Sequence, residues 1–200
     1  SFTQQLKARL NATGVTTTIY NLDAPLTQLK SACAKNKQTV IVPDSSDPAV
    51  LRQILYKIKL FKAQYPKYKV SLFGYPTWLE HEEALREDLC EVDTYIYTNT
   101  FYNPYSRGIA EFNAQYKAWF NADPLDVTPR MGLLGHDLAC HLLQGLFTYG
   151  KNFTTQHAGT GMLQSNMHFA ATEAGGGLVN NSVSFIHYKS DKTIEQIQSR

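Results

Sequence analysis

The chain has 200 residues, of which 43% are hydrophobic and 18% charged, and 19 lysines and arginines nearly balance 17 aspartates and glutamates. These figures exclude a disordered, collagen-like or coiled-coil chain, and the net charge of +2 argues against a nucleic-acid-binding protein. No apolar run approaches the roughly 18 to 20 residues of a membrane span. Three widely spaced cysteines, Cys33, Cys90 and Cys140, suit neither a disulfide framework nor a zinc ribbon. The composition indicates a globular protein of one large or two small domains.

The first half of the chain alternates strand patterns with helical ones. The predicted strands are residues 15–20 (VTTTIY), 39–42 (TVIV), 69–74 (KVSLFG) and 94–98 (TYIYT). Helices are predicted at residues 1–11, around Leu29, after the Asp47–Pro48 cap and over residues 78–89. Strands that alternate with helices in this way are typical of a parallel sheet with helices on both faces. The fold class predicted is therefore α/β, a three-layer Rossmann-like sheet.

The pattern changes at both ends of this series. The chain opens on a helix with no strand before it, so we expect it to be a fragment that begins inside a βα unit. After residues 103–107 (NPYSR), two helices are predicted in succession, and the second begins at Thr128–Pro129. Residues 150–161 have a loop-like composition. Strands at 163–170 and 179–188 are then predicted to form a hairpin around the glycines at 175–177.

Motifs that would support catalysis or metal binding are incomplete. His136 and Cys140 share one helix face, but His141 lies roughly 140° away around the helix from His136 and no further ligands stand nearby. His81 lacks the second histidine of a zincin helix, and the three glycines at 175–177 are not followed by a P-loop lysine. No nucleophile elbow is present. We therefore predict a protein that is not an enzyme, with no catalytic residues, no metal and no cofactor.

Polar and aromatic residues gather where the predicted strands end, which is where open parallel sheets bind ligands. Residues 43–46 (PDSS) follow the second predicted strand, residues 74–78 (GYPTW) the third, and residues 99–102 (NTFY) the fourth. Hydroxyls and aromatic walls there would suit a small polar or zwitterionic ligand. The alternative is structural: the PDSS residues only cap the next helix, and Tyr75 and Trp78 only pack at its start. The two interpretations are about equally supported.

Several stretches together resemble the type I periplasmic binding-protein family, which includes receptor ligand-binding regions. The strand–loop–helix TVIVPDSSDPAVLRQIL and the unit VSLFGYPTW are similar to ligand-contacting segments of that family's second lobe. The segments FGYPTW, TNTFYNP and TPRMGLLG resemble a cell-envelope subgroup of Bacteroidetes-type bacteria in which this domain accompanies a peptidoglycan-binding LysM module. No LysM module is visible in this chain.

The resemblance implies how the chain is organised. Residues 1–102 with 160–200 correspond to the second lobe, and the helical segment 103–159 belongs to a first lobe whose own sheet is absent. It also implies ligand contacts, which are Ser45, Ser46, Tyr75, Trp78, Asn99 and Tyr102, with residues 99–102 at a hinge.

The implied function is non-catalytic solute binding or sensing in the periplasm or cell envelope. The loop 74–77 lacks the acid that usually pairs with an amino-acid ammonium in this family, which disfavours amino acids as ligands. The alternative is a protein-interaction or regulatory module linked to peptidoglycan, with no small ligand and with Ile109, Phe112, Tyr116 and Trp119 as an exposed helix face. A homodimer is also left open.

Overall fold

The computed structural model describes residues 2–125, 127–155, 162–172 and 175–198. The chain forms two compact units, Ser1–Ile96 with His187–Glu195 (unit 1) and Tyr97–Ile186 with Gln196–Arg200 (unit 2). Among the described residues, no helix combines the length and apolar character needed to cross a membrane.

The elements confirm an α/β protein. The helices are α1 (Phe2–Ala12), α2 (Leu26–Ala32), α3 (Pro48–Gln64), α4 (Glu82–Glu91), α5 (Arg107–Phe120) and α6 (Met131–Tyr149). The strands are β1 (Gln38–Ile41), β2 (Lys69–Gly74), β3 (Thr94–Thr98), β4 (Phe169–Ala171), β5 (Leu178–Asn180), β6 (Ser184–Tyr188) and β7 (Ile194–Gln198). Two short 3-10 helices cover Pro76–His81 and Gly150–Thr155.

Five of the strands form one mixed sheet in the order β1-β2-β3-β6-β7. β1 pairs with β2 in parallel, with Gln38 opposite Lys69, and β2 pairs in parallel with β3, with Leu72 opposite Thr94. β4 and β5 form a separate antiparallel pair. The parallel arrangement expected from the sequence is therefore present in β1–β3.

The core of unit 1 forms where α3 and α4 contribute apolar faces. Leu51, Leu55 and Phe61 of α3 and Leu89 of α4 are almost completely buried. Asp47 caps α3 by accepting a hydrogen bond from the Ala49 N–H at 2.8 Å, as the sequence predicted. Burying these side chains stabilises the unit by about 1.5 to 3 kcal/mol each.

Some predicted elements are wrong. Residues 15–20 form no strand, and Val15 and Ile19 are half exposed, because β-branched residues favour a strand only where a neighbouring strand pairs with them. The predicted helix at 78–89 is divided between a 3-10 helix and α4, with His81 at φ −113° between them. α6 starts at Met131 rather than at Pro129, and the Thr128–Pro129 peptide bond is cis.

The C-terminal part also differs from its prediction. The strand predicted at 163–170 is reduced to β4, and the strand predicted at 179–188 is divided into β5 and β6. Asn180 causes this division, because its side-chain oxygen accepts hydrogen bonds from the N–H groups of His168 and Ser182 and turns the chain. β7 was not predicted, since residues 194–198 (IEQIQ) are mostly polar. Gly175–Gly177 do lie in the β4–β5 turn, and residues 156–161 of the predicted loop lie outside the described residues.

Candidate functional site

The loop after β1 is shaped by its own side chains. Pro43 is buried, and the Ser45 hydroxyl accepts a hydrogen bond from the Asp47 N–H at 3.2 Å. Asp47 in turn caps the N-terminus of α3, a helix of 17 residues. Ser45 therefore orders the approach to the helix, and its oxygen is already engaged.

The two aromatic residues after β2 bind the backbone of the loop after β1. The Tyr75 hydroxyl donates to the Pro43 carbonyl at 2.5 Å, and the Trp78 indole N–H donates to the Ser46 carbonyl at 3.1 Å. The two rings pack edge to face with their centroids 5.7 Å apart, an arrangement that aromatic pairs prefer. Hydrogen bonds thus join residues 43–46 to residues 75–78 at the carboxyl ends of β1 and β2.

Trp78 has no exposed surface in this arrangement. Gly74 makes the close packing feasible, because a Cβ at that position would lie 2.3 Å from two carbons of the Trp78 ring. The Trp78 side chain therefore supports the loop from beneath. Any direct contact with a ligand at this edge falls to its neighbours.

Those neighbours are polar and open to solvent. Asp44, Ser46 and Thr77 are exposed, and within the described chain the Asp44 carboxylate and the two hydroxyl groups make no hydrogen bond. Asp44 and Thr77 were not among the residues favoured for ligand contact. The sequence could have indicated them, because both are polar residues in the loops that follow two predicted strands. We call Asp44, Ser46 and Thr77 the loop-edge residues.

The predicted contacts Asn99 and Tyr102 belong to unit 2. Asn99 is exposed and Tyr102 is half-buried, with the Arg130 guanidinium 3.8 Å from the Tyr102 ring centroid. The segment between them is held in place, since the Phe101 N–H donates to the Gln164 carbonyl at 2.8 Å. The Gln164 side chain also accepts from the Arg130 N–H at 2.9 Å. Tyr102 therefore presents a cation-covered aromatic face.

The buried carboxylate of Asp137 organises the chain around this segment. It accepts hydrogen bonds from the N–H groups of Leu163 at 2.7 Å, Gln164 at 2.8 Å and Ser165 at 2.7 Å, and Asp137 itself is completely buried. Three backbone donors compensate the loss of solvent around a buried carboxylate. The sequence signal for this anchor was a single acid in an otherwise apolar helix, and it was overlooked.

His136 and Cys140 lie close to each other and to Asp137. The Cys140 sulfur lies 3.6 Å from His136 Nε2, and His136 Nδ1 lies 3.1 Å from Asp137 Oδ1. In the described part of the chain, no three His, Cys, Asp or Glu side chains are grouped so that they could hold a metal ion. Burial raises the pKa of the Cys140 thiol, and the nearby Asp137 charge adds to this rise. A reactive thiolate is therefore disfavoured at Cys140.

A second polar cluster lies where β2 and β3 begin. Ser71 donates to one oxygen of Asp93, and His187 Nε2 lies 2.7 Å from the other oxygen. Tyr95 stacks on the His187 ring with centroids 3.9 Å apart. The Ser71 hydroxyl therefore contacts the Asp93 carboxylate and not the His187 imidazole. In this arrangement His187 is not placed to act as a base for that hydroxyl. Asp93 here joins the starts of two strands to β6.

No protein-family model matches the chain, and a search of curated proteins finds no match.

Proposed function

We propose that this chain is a non-catalytic domain that binds a small polar ligand at the carboxyl ends of β1 and β2. We further propose that its sheet is a three-layer Rossmann-like arrangement of the kind found in one lobe of a type I periplasmic binding protein. The α/β elements and the parallel β1–β3 pairing support this proposal. Ligands of open α/β sheets bind at the same end of the strands.

The observation that carries the proposal is the way Tyr75 and Trp78 fix the backbone of residues 43–46. A loop fixed in this way loses little conformational entropy when a ligand binds, which favours affinity. It also leaves the loop-edge residues Asp44, Ser46 and Thr77 exposed and without hydrogen bonds in the part of the chain described. Their carboxylate and hydroxyl oxygens suit a ligand that carries hydroxyl or ammonium donors.

The resemblance supplies the wider setting of this proposal. We propose a location in the periplasm or cell envelope and a link to peptidoglycan, with the helical segment 103–159 belonging to a first lobe. The proposed hinge, residues 99–102, contains the Tyr102 ring that Arg130 covers. A polar peptidoglycan fragment therefore belongs in any ligand screen, beside free amino acids and short peptides.

A thermal-shift screen tests the proposal. The full chain is heated with amino acids, short peptides and muropeptides at millimolar concentration, and a ligand that binds only the folded state raises Tm. We expect at least one compound to raise Tm, and the rise to be reduced in Ser46→Ala and Asp44→Asn. Ser31→Ala, an exposed serine of α2 in the same unit, is the matched control and keeps the shift. A chain that no compound stabilises contradicts the proposal.

A second candidate function, a protein-interaction module, is favoured by exposed apolar side chains on α5 and α6. Trp119 is 79% exposed and Phe147 is 94% exposed. Ile109, predicted on that exposed face, is instead fully buried. The exposed large hydrophobic residues of α6 are Met131, Leu138, Leu142, Leu143, Leu146, Phe147 and Tyr149.

Apolar side chains grouped on one surface often mark a protein contact. Under this second function, Phe147→Lys abolishes recovery of an envelope partner that the unaltered chain retains. Under the first function, Phe147→Lys leaves the ligand-induced rise in Tm unchanged. The two measurements therefore separate the candidates.

A further inference from the structure

Among the described residues, no strand lies beside the outer edge of β1. β1 is the first strand in the order β1-β2-β3-β6-β7, and its pairing runs along β2 from Gln38 to Ile41. In a strand, the N–H and C=O groups of alternate residues point to opposite sides. Half of the backbone groups of β1 therefore face away from β2, in the arrangement that accepts another strand.

The side chains of β1 are those of a covered strand. Residues 39–42 are TVIV, an apolar run typical of a buried parallel strand. Yet Val40 is 52% exposed and Val42 is 37% exposed, and no residue of β1 is fully buried. In β2, by contrast, Val70 and Leu72 are almost completely buried. Exposed apolar side chains and backbone groups that face away from β2 thus occur together at this edge. An added strand would bury part of the apolar surface and hydrogen-bond with the backbone groups.

We propose that β1 and the three residues after it, residues 38–44, pair with the same segment of a second copy of this chain, antiparallel, across a two-fold axis perpendicular to the sheet. Such an axis keeps each side chain on its own face, so residues that lie opposite one another share the same face. With the axis at Ile41, Val40 lies opposite Val42 of the second copy, and Val42 opposite its Val40. The exposed valines then cover one another.

The charges at the two ends of the edge favour the antiparallel direction. Lys37 precedes β1 and Asp44 follows it, both are exposed, and neither forms an ion pair within the described residues. In the antiparallel register Gln38 lies opposite Asp44 of the second copy, with Lys37 next to it. A parallel pairing would instead place Lys37 beside Lys37. Opposite charges across strands stabilise a pair and like charges destabilise it.

The edge also limits how far pairing extends. The paired segment has only seven residues at most, residues 38–44, of which β1 supplies four, and Pro43 within it has no N–H group to donate a hydrogen bond. The contact is therefore smaller than the roughly 1,200 Å² of a typical stable interface. We expect a dimer that forms and dissociates in the micromolar range, with the two-fold axis closing the assembly at two copies.

Sedimentation velocity of the full chain over micromolar concentrations tests the inference. We expect a monomer–dimer equilibrium whose dissociation constant rises about tenfold or more in Val40→Lys, because a lysine on an edge opposes strand pairing. Val179→Lys, at a valine of β5 that is 54% exposed, is the matched control and leaves the constant unchanged. A chain that remains monomeric, or a dimer that Val40→Lys does not weaken, overturns the inference. A dimer weakened only by Phe147→Lys also overturns it and assigns the contact to α6.

Cysteine cross-linking tests the register separately. In a Cys140→Ser background, Ile41→Cys places two thiols opposite one another at the axis, within disulfide distance. Val40→Cys places the thiol opposite a valine. We expect oxidised dimer from Ile41→Cys and little from Val40→Cys, and equal yields contradict the register. Amide exchange of β1 in the unaltered chain is measured as well, because this measurement does not depend on the folding of the Ile41→Cys variant. Protection that increases with protein concentration supports the pairing, and protection independent of concentration contradicts it.

Discussion

The Trp78 indole N–H donates to the Ser46 carbonyl at 3.1 Å while the indole itself is completely buried. This bond joins the segment after β2 to the loop after β1, and Tyr75 repeats the connection at Pro43. The loop-edge residues Asp44, Ser46 and Thr77 owe their position to these two bonds. The proposed ligand site therefore depends on a tryptophan that a ligand does not touch.

Replacing Trp78 by phenylalanine removes this indole donor while keeping a ring in the core. We expect a loss of about 1 to 3 kcal/mol in the free energy of unfolding, from the unpaired carbonyl and the smaller ring. Urea unfolding measures the loss, and amide exchange should accelerate at residues 44–46. Trp119→Phe, at a position 79% exposed, is the control and should change the free energy by less than about 0.5 kcal/mol. Equal effects at the two positions would contradict the supporting role of Trp78.

Gly74→Ala introduces a methyl group that would lie 2.3 Å from the Trp78 ring. We expect a destabilisation of about 1 to 3 kcal/mol, because the tryptophan must shift in a packed core. Gly135→Ala in α6 is the control, since a Cβ there meets nothing within 4 Å. That change should stabilise the chain by about 0.5 to 1 kcal/mol, as alanine favours a helix over glycine. Thermal unfolding of both variants gives the comparison, and a Gly74→Ala variant as stable as the parent would refute the tight packing.

Asp137→Asn replaces one carboxylate oxygen by an amide group that cannot accept a hydrogen bond. Three backbone N–H groups converge on this carboxylate, so at least one loses its acceptor. We expect a loss of about 2 to 4 kcal/mol, with faster amide exchange at Leu163, Gln164 and Ser165. Asp123→Asn removes only the exposed partner of Lys117 and should cost less than about 1 kcal/mol. If exchange at the three amides does not change, Asp137 does not anchor them.

Tyr188 predicts how stability depends on alkaline pH. Burial raises the pKa of its phenol in the folded state, and the hydroxyl has no hydrogen-bond partner among the described residues. The folded state therefore favours the neutral phenol. Below the unfolded-state pKa of about 10 the phenol is neutral in both states, so stability does not depend on its ionisation. Above that pH the unfolded chain ionises and the folded one does not, so stability falls as pH rises toward the folded-state pKa.

Tyr188→Phe should remove this loss of stability. We expect the variant to be as stable as the parent or about 1 kcal/mol more stable at neutral pH, and to hold its stability further above pH 10. Urea unfolding as a function of pH measures both effects. Tyr105→Phe, at a position 84% exposed, serves as the control. If the free energy of unfolding falls equally above pH 10 in the parent and in Tyr188→Phe, the Tyr188 phenol is not the group responsible.

Local chemistry explains which parts of the fold the sequence predicts. The Asp47 cap and the spacing of Leu51, Ile54 and Leu55 define α3 from neighbouring residues alone, and β2 lies where its run KVSLFG indicates. Residues 15–20 have equally strong β-branched character but form no strand, since pairing depends on a neighbour distant in the chain. The division of the last strands depends on Asn180 contacts across 12 to 14 residues, which no local pattern reveals.

The candidate site shows the same limit. Strand ends could be located from the sequence, and Ser45, Ser46, Tyr75 and Trp78 all lie in the two linked loops of unit 1; their contact with a ligand stays a prediction. Which of them faces solvent depends on packing. Trp78 is interior because Gly74 leaves room for its ring, whereas Asp44 and Thr77 are exposed. The exposed polar residues are thus partly different from the ligand contacts that the sequence predicts.

The most direct measurement of ligand binding is an NMR titration of the ¹⁵N-labelled full chain with the compounds of the thermal-shift screen. The account predicts that a binding compound shifts amide signals at residues 44–47 and 75–78 first, and that Ser46→Ala weakens the titration while Ser31→Ala does not. Shifts that arise only on α5 and α6, or no shifts with any compound at millimolar concentration, would contradict a ligand site at the ends of β1 and β2.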